Sequence, residues 1–163
     1  MLRLEVFEEL RKLDNLIQNA SVHYDGEFYS YNDICARWGD ECFSNDILNL
    51  DQILGEFQAG ELNLTFPFML NPVTWDSHVF PVFFGGTKLD ANQNIESVPA
   101  IQLVYFATAD TKKQDKKGAE WEETFLEIVG KAENSGYFKH ISVAYFASRT
   151  LDNELEKNTQ TML

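Results

Sequence analysis

Leu2, Val6, Leu10, Leu13 and Ile17 recur at steps of three and four residues, with Glu5, Glu8, Glu9, Arg11, Lys12 and Asp14 falling mostly between them. This spacing predicts an amphipathic helix over residues 2–18. No capping signal precedes it. From Glu61 to Thr108 the period changes. Apolar residues there come in short runs broken by Pro67, Pro72 and Gly85-Gly86, and Leu62–Trp75 carries no charge. The helical period returns at Trp121, Phe125, Ile128 and Ala132. Strand runs with helices between them, joined by hairpin-like turns, argue for an α+β layer with helices on one face of a mainly antiparallel sheet.

Finer expectations follow from local chemistry. Asp25-Gly26 is a hairpin signal within residues 21–31. Ser44 offers an N-cap, Asp46 suits a first helical turn, and Ile47, Leu50, Ile53, Leu54 and Phe57 predict a second helix ending near Gly55 or Gly60. Strands are expected over Leu62–Phe68, Val79–Phe84, Ile101–Ala107 and Ile141–Phe146. The third is apolar on both faces, as in a sheet covered on both sides. Asp110–Lys117 reads as a charged loop, Glu120–Ala132 as a third helix stopped at Gly136, and Thr150–Leu163 as a polar, helix-like tail. There is no internal repeat.

At 163 residues the chain can bury roughly 70% of its unfolded surface and needs no staple to fold. Its formal net charge is −13, from 26 acidic and 13 basic residues. That balance argues against nucleic acid as a partner and against docking on anionic lipid through a basic face. No apolar run is long enough to span a bilayer, and Met1–Lys12 has no signal-peptide core. With 13 Phe, the core should be rich in aromatic rings.

No catalytic residue, cofactor site or metal site stands out. Asp76-Ser77-His78 holds the residue types of a hydrolytic triad, but such groups must converge in space rather than sit adjacent, and no G-x-S-x-G elbow is present. Gly85-Gly86-Thr87-Lys88 lacks the phosphate-loop spacing and reads as a turn or bulge. The pairs Glu8/Glu9 and Glu122/Glu123 diverge by about 100° on a helix and read as solvated faces. His140 reads as a surface residue. Lys112, Lys113, Lys116 and Lys117 form a basic knot that is either a solvated loop tip or a contact for an acidic partner.

Cys35 and Cys42 stand seven apart, which is neither a redox nor a zinc spacing. Either a short-loop disulfide or two buried free thiols fits them. Asn19-Ala20-Ser21 and Asn63-Leu64-Thr65 are N-glycosylation sequons, meaningful only outside the cytosol.

Six segments in order resemble one family. They are Tyr31-Asn32-Asp33-Ile34-Cys35-Ala36-Arg37-Trp38-Gly39-Asp40-Glu41-Cys42 with its continuation to Leu48, Leu64-Thr65-Phe66-Pro67, Phe83-Phe84-Gly85-Gly86, Ala100-Ile101-Gln102-Leu103, Ala119-Glu120-Trp121-Glu122, and Ser148-Arg149-Thr150-Leu151-Asp152-Asn153-Glu154-Leu155. Together they resemble the first extracytosolic domain of Patched-related, or Patched domain-containing, proteins. These belong to the RND permease superfamily with Patched, Dispatched and the Niemann–Pick type C transporters. The resemblance runs over nearly the whole chain.

It implies a ferredoxin-like (split βαβ) porter-type ectodomain over residues 1–149, lacking its first strand, and a juxtamembrane segment over 150–163 leading to an absent membrane helix. The parent would be a multi-pass membrane protein of the sterol-sensing type, in the plasma membrane or an endomembrane, with this domain extracellular or lumenal. Its role would be non-enzymatic, in lipid or sterol transport or in ligand reception. Its partners would be the second ectodomain and the membrane helices of the same chain, with a sterol, a lipid or a protein ligand besides. The resemblance also implies a Cys35–Cys42 bridge around a Trp-Gly loop and glycans at Asn19 and Asn63. The rival reading from residues alone is a free-standing soluble α+β protein-binding module.

Overall fold

Helix α1 spans Leu4–Gln18, close to the expected bounds, and Val6, Phe7, Leu10, Leu13 and Ile17 are buried along it. The computed structural model of the protein describes residues 1–70, 75, 77–148 and 159, without the side chains of Trp38 and His78. The expected tail and juxtamembrane segment over 150–163 lie outside the described residues, apart from Thr159. The chain divides into two compact units, one of Met1–Arg11 with Ser44–Val104 and one of Lys12–Phe43 with Tyr105–Leu163.

The architecture is mixed helix and strand, the α+β class. In chain order the elements after α1 are β1 (Val22–Tyr24), β2 (Glu27–Tyr29), α2 (Tyr31–Ile34), β3 (Arg37–Trp38), β4 (Glu41–Cys42), a 3-10 helix (Asp46–Gln52) and α3 (Leu54–Gln58). Then come β5 (Phe68–Leu70), β6 (Ser77–Val79), β7 (Phe84–Gly85), β8 (Lys88–Leu89), β9 (Ile95–Ser97), β10 (Ala100–Ile101) and α4 (Lys112–Asn134). Among the described residues the strands form five separate two-stranded antiparallel ladders, β1-β2, β3-β4, β5-β6, β8-β9 and β7-β10, rather than one continuous sheet.

In the first unit, Phe80 and Phe84 stack at 4.8 Å between centroids, and Phe80, Leu50, Leu54 and Leu64 are almost wholly buried. The expected single helix after Ser44 is replaced by the 3-10 helix and a short α3, separated at Ile53 (φ −116°). Asn45 precedes the 3-10 helix without a side-chain cap. Its buried side chain donates to Val104 O (3.0 Å) and accepts from Val104 N–H (2.8 Å), so it pairs with distant backbone instead of capping. Arg11 secures the same turn by pairing with Asp51 (2.5 Å) and donating to Leu48 O (3.0 Å).

The expected strand Leu62–Phe68 is mostly irregular, with a bridge Thr65↔Asn94 and regular pairing only from Phe68. Val79–Phe84 is likewise broken, because Phe80 O accepts from the N–H groups of Phe83 (2.9 Å) and Phe84 (2.8 Å), closing a turn. Glu9, expected on a solvated face, is buried. At 3.6 residues per turn it stands only about 40° from Leu13, inside the apolar arc.

In the second unit, Asp25 (φ 52°) and Gly26 (φ 75°) form the two-residue turn between β1 and β2, both with the positive φ of a type I′ hairpin. Tyr31 packs against Trp121 (5.3 Å) and edge-on to Tyr105 (5.4 Å), and Trp121 stacks on Phe125 (5.6 Å). The expected charged loop Asp110–Lys117 is instead the start of α4. Thr111 caps it by accepting from Gln114 N–H (3.1 Å), while the Gln114 side chain accepts from Thr111 N–H (3.1 Å). Gly136 ends it with φ 72°, as expected. Ile141–Phe146 is not a strand. Glu133 intercepts its backbone, accepting from Val143 N–H (3.1 Å).

Candidate functional site

A disulfide hairpin stands in the second unit. Cys35 ends the short α2, its N–H donating to Tyr31 O (2.9 Å), and Cys42 closes β4 opposite Arg37. The two cysteines are bonded, with Cα atoms 5.6 Å apart. Gly39, at φ 69°, begins the two-residue turn between β3 and β4, a conformation that favours glycine. Arg37 ties the loop at both ends, donating to Asp40 O (2.6 Å) and Asn32 O (2.5 Å). Cys35 is anchored through its backbone by Thr108, whose hydroxyl donates to Cys35 O (3.0 Å) and whose N–H donates to Ile34 O (2.8 Å). The Arg37-Trp38-Gly39-Asp40 segment is therefore a stapled loop held on a buried base.

Both sequons lie on accessible, non-regular backbone. Asn19 and Ser21 are exposed just past the end of α1, and Asn63 and Thr65 are exposed before β5.

Three tyrosines of the second unit are shifted toward the neutral form. Tyr105 is the strongest case: burial first, and then its hydrogen bond donated to Asp14 (2.5 Å), push its phenol well above the ordinary value. Tyr31 is raised by burial, although the Phe106 N–H it accepts (3.0 Å) works against this. Tyr29 is also raised, by burial first, and its hydroxyl donates to Lys117 O (3.0 Å).

The lysine knot is not a loop tip. It occupies the first turns of α4, where Lys117 pairs with Glu27 (2.5 Å) and Lys113 lies at 3.9 Å from the same carboxylate. Glu27 is held below the usual carboxylate range by the Lys117 hydrogen bond first and the Lys113 charge next. An acidic group thus already faces part of this basic cluster.

The residue types that suggested chemistry are not assembled into a reaction centre among the described residues. Ser77 and His78 pair by backbone with Leu70 and Met69 in the β5-β6 ladder, and Asp76 lies outside the described residues. Gly85-Gly86-Thr87-Lys88 runs from the end of β7 through a bend at Gly86-Thr87 into β8, without a helix to receive a phosphate. Gly86 has φ 67°, and a Cβ there would meet Pro99 Cγ at 2.9 Å. His140 is exposed, as expected. Among the described residues no cluster of His, Cys, Asp or Glu is placed to hold a metal ion, and no helix is long and apolar enough to cross a membrane.

Sequence reasoning missed one surface feature of the first unit. Alternation along β5-β6 buries Met69 and leaves Phe68, Leu70 and Val79 exposed, with Trp75 (74% exposed) between the strands and Val82 exposed beyond β6. The available signal was the charge-free stretch Leu62–Trp75, within which Phe68–Leu70 alternates faces once paired.

No protein-family model matches the chain, and no solved structure matches it.

Proposed function

We propose that this chain is a non-enzymatic extracytosolic domain of a Patched-related multi-pass membrane protein, serving lipid or sterol transport or ligand reception. The carrying observation is the Cys35–Cys42 bridge closed around Arg37, Trp38, Gly39 and Asp40. Structural disulfides persist in oxidising compartments and are rare in the cytosol. The exposure of both sequons fits the same compartment. The exposed apolar face of β5-β6 is a surface for the second ectodomain of the parent chain, for a sterol or lipid, or for a protein ligand. The ferredoxin-like plait belongs to this reading too and rests on the resemblance, since among the described residues the antiparallel strands form separate ladders rather than the plait's single sheet. On this reading the domain is 1–149, and 150–163 leads to a membrane helix of the parent chain, in the plasma membrane or an endomembrane.

The test is alkylation of the protein from its native source under non-reducing conditions, read by mass. A bridged pair stays unlabelled. Labelling of both cysteines removes the reading. Apolar segments of about 20 residues on both sides of the coding region would support it independently.

A second reading, a soluble α+β protein-binding module, is favoured by one observation. The strands pair only two by two among the described residues, an arrangement that an extended peptide can augment at a strand edge. Free thiols together with a complete reading frame would select it.

A further inference from the structure

In the second unit, Lys12, Asn15 and Leu16 share one side of the last turns of α1, and Asn19 follows just past its end. With Ala20, Ser21, Ile128 of α4 and Tyr137 they line an open groove of about 530 Å³. Two elements fix the far wall. Gly136 turns the chain after α4, and Tyr137 N–H returns to Ala132 O (3.2 Å). The Phe138 ring meets Tyr137 edge-on at 5.1 Å, leaving Tyr137 about half exposed (49%).

We propose that the N-linked glycan of Asn19 folds back into this groove, seating its innermost N-acetylglucosamine against the Tyr137 ring. The inference rests on the extracytosolic reading. The groove identifies its occupant because the sequon Asn19-Ala20-Ser21 is itself part of the wall. The chemistry of the wall suits a pyranose. Leu16, Ile128 and the Tyr137 ring meet its C–H face, while the Lys12 ammonium and Asn15 amide reach its hydroxyls. A sugar tethered at Asn19 is present at high effective concentration, so weak contacts are enough to hold it. Attachment forms the bond from Asn19 Nδ2 to the anomeric carbon of a lipid-linked diphospho-oligosaccharide. The lipid diphosphate leaves, and the amide loses a proton.

The experiment uses the full chain carrying Asn63→Gln, secreted from a glycosylating host, beside the same chain with Ser21→Ala. Site-resolved iodination reads Tyr137, with Tyr145, which is not part of the groove wall, as internal reference. The expected result is occupancy at Asn19 and iodination of Tyr137 severalfold slower than in Ser21→Ala, with Tyr145 unchanged. Protection should survive trimming to a single N-acetylglucosamine and vanish on complete removal from the folded protein, a step that requires no variant. Equal rates in the glycosylated and glycan-free forms overturn the proposal, and so does a folded, bridged, secreted chain left unmodified at Asn19. Failure of the extracytosolic reading shows elsewhere, as labelled cysteines in protein from the native source.

Discussion

Tyr105 shows how one side chain couples packing to pH. Its ring is part of the Tyr31–Trp121–Phe125 cluster, and its hydroxyl donates to Asp14. Tyr105→Phe keeps the ring and removes the bond to a charged acceptor, so it should lower unfolding stability at neutral pH by about 1.5–3 kcal/mol in urea titrations. The alkaline limb gives a second reading. Tyr105, Tyr31 and Tyr29 are all raised in the folded state, whereas an unfolded tyrosine ionises near pH 10. Above about pH 10 the unfolded chain then holds fewer protons than the folded one, so stability is complete below that pH and drains as pH rises. The Phe variant should start lower and fall less steeply. A slope equal to that of the parent would mean that Tyr105 ionises freely in the fold. Little of this was legible in the sequence. The aromatic content foretold an aromatic core, but Asp14 and Tyr105 are remote in the chain, and only folding brings them together. Glu9 is the converse case, since its angular position already lay within the apolar arc.

Among the elements, α4 is where a sequence signal was present and outweighed. Four lysines near a helix N-terminus oppose the helix dipole, which makes Asp110–Lys117 look like a loop. Thr111-x-x-Gln114 is nevertheless a capping box, and it starts the helix there. Thr111→Ala should therefore cost about 1 kcal/mol. Hydrogen exchange should rise mainly in the first turns, and uniform loss along the helix would contradict a capping role. Ile101–Ala107 failed for another reason. Its apolar run suggested a strand covered on both faces, but the segment is only part-buried, with Phe106 exposed, and an apolar run does not name a hydrogen-bond partner. After Ile101 the backbone is satisfied piecemeal: Gln102 N–H by Phe83 O, Val104 N–H by the Asn45 side chain, Phe106 N–H by the Tyr31 hydroxyl. No local pattern encodes such acceptors. The β3-β4 hairpin was legible only in part, as a cysteine pair open to two readings. Closing so short a loop stabilises by about 2.5 kcal/mol in the chain-entropy treatment. The double variant Cys35→Ser/Cys42→Ser should lose stability on that scale in the oxidised protein and behave like the reduced parent. A reduced parent as stable as the oxidised one would show that the bridge does not hold the loop.

For the whole molecule, two opposing features set solution behaviour. The formal charge of −13 makes copies repel, while Phe68, Trp75 and Val79 present uncharged, exposed apolar surface. Repulsion acts over a Debye length of about 30 Å at 0.01 M salt and about 8 Å at 0.15 M. Apolar attraction acts only at contact and does not fade with salt. At low salt the chain should therefore sediment as a monomer. Moderate salt should raise its melting temperature by relieving self-repulsion and should reveal concentration-dependent association. Phe68→Ser with Val79→Thr should abolish that association and leave the melting temperature nearly unchanged, because both side chains already face solvent. Association that survives the double variant would place self-contact elsewhere, with the open ladder edges next in line. A chain that stays monomeric at every salt concentration would show that the β5-β6 face is too small to be adhesive, and the reading of that face as a receiving surface for a partner or a lipid would lose its support.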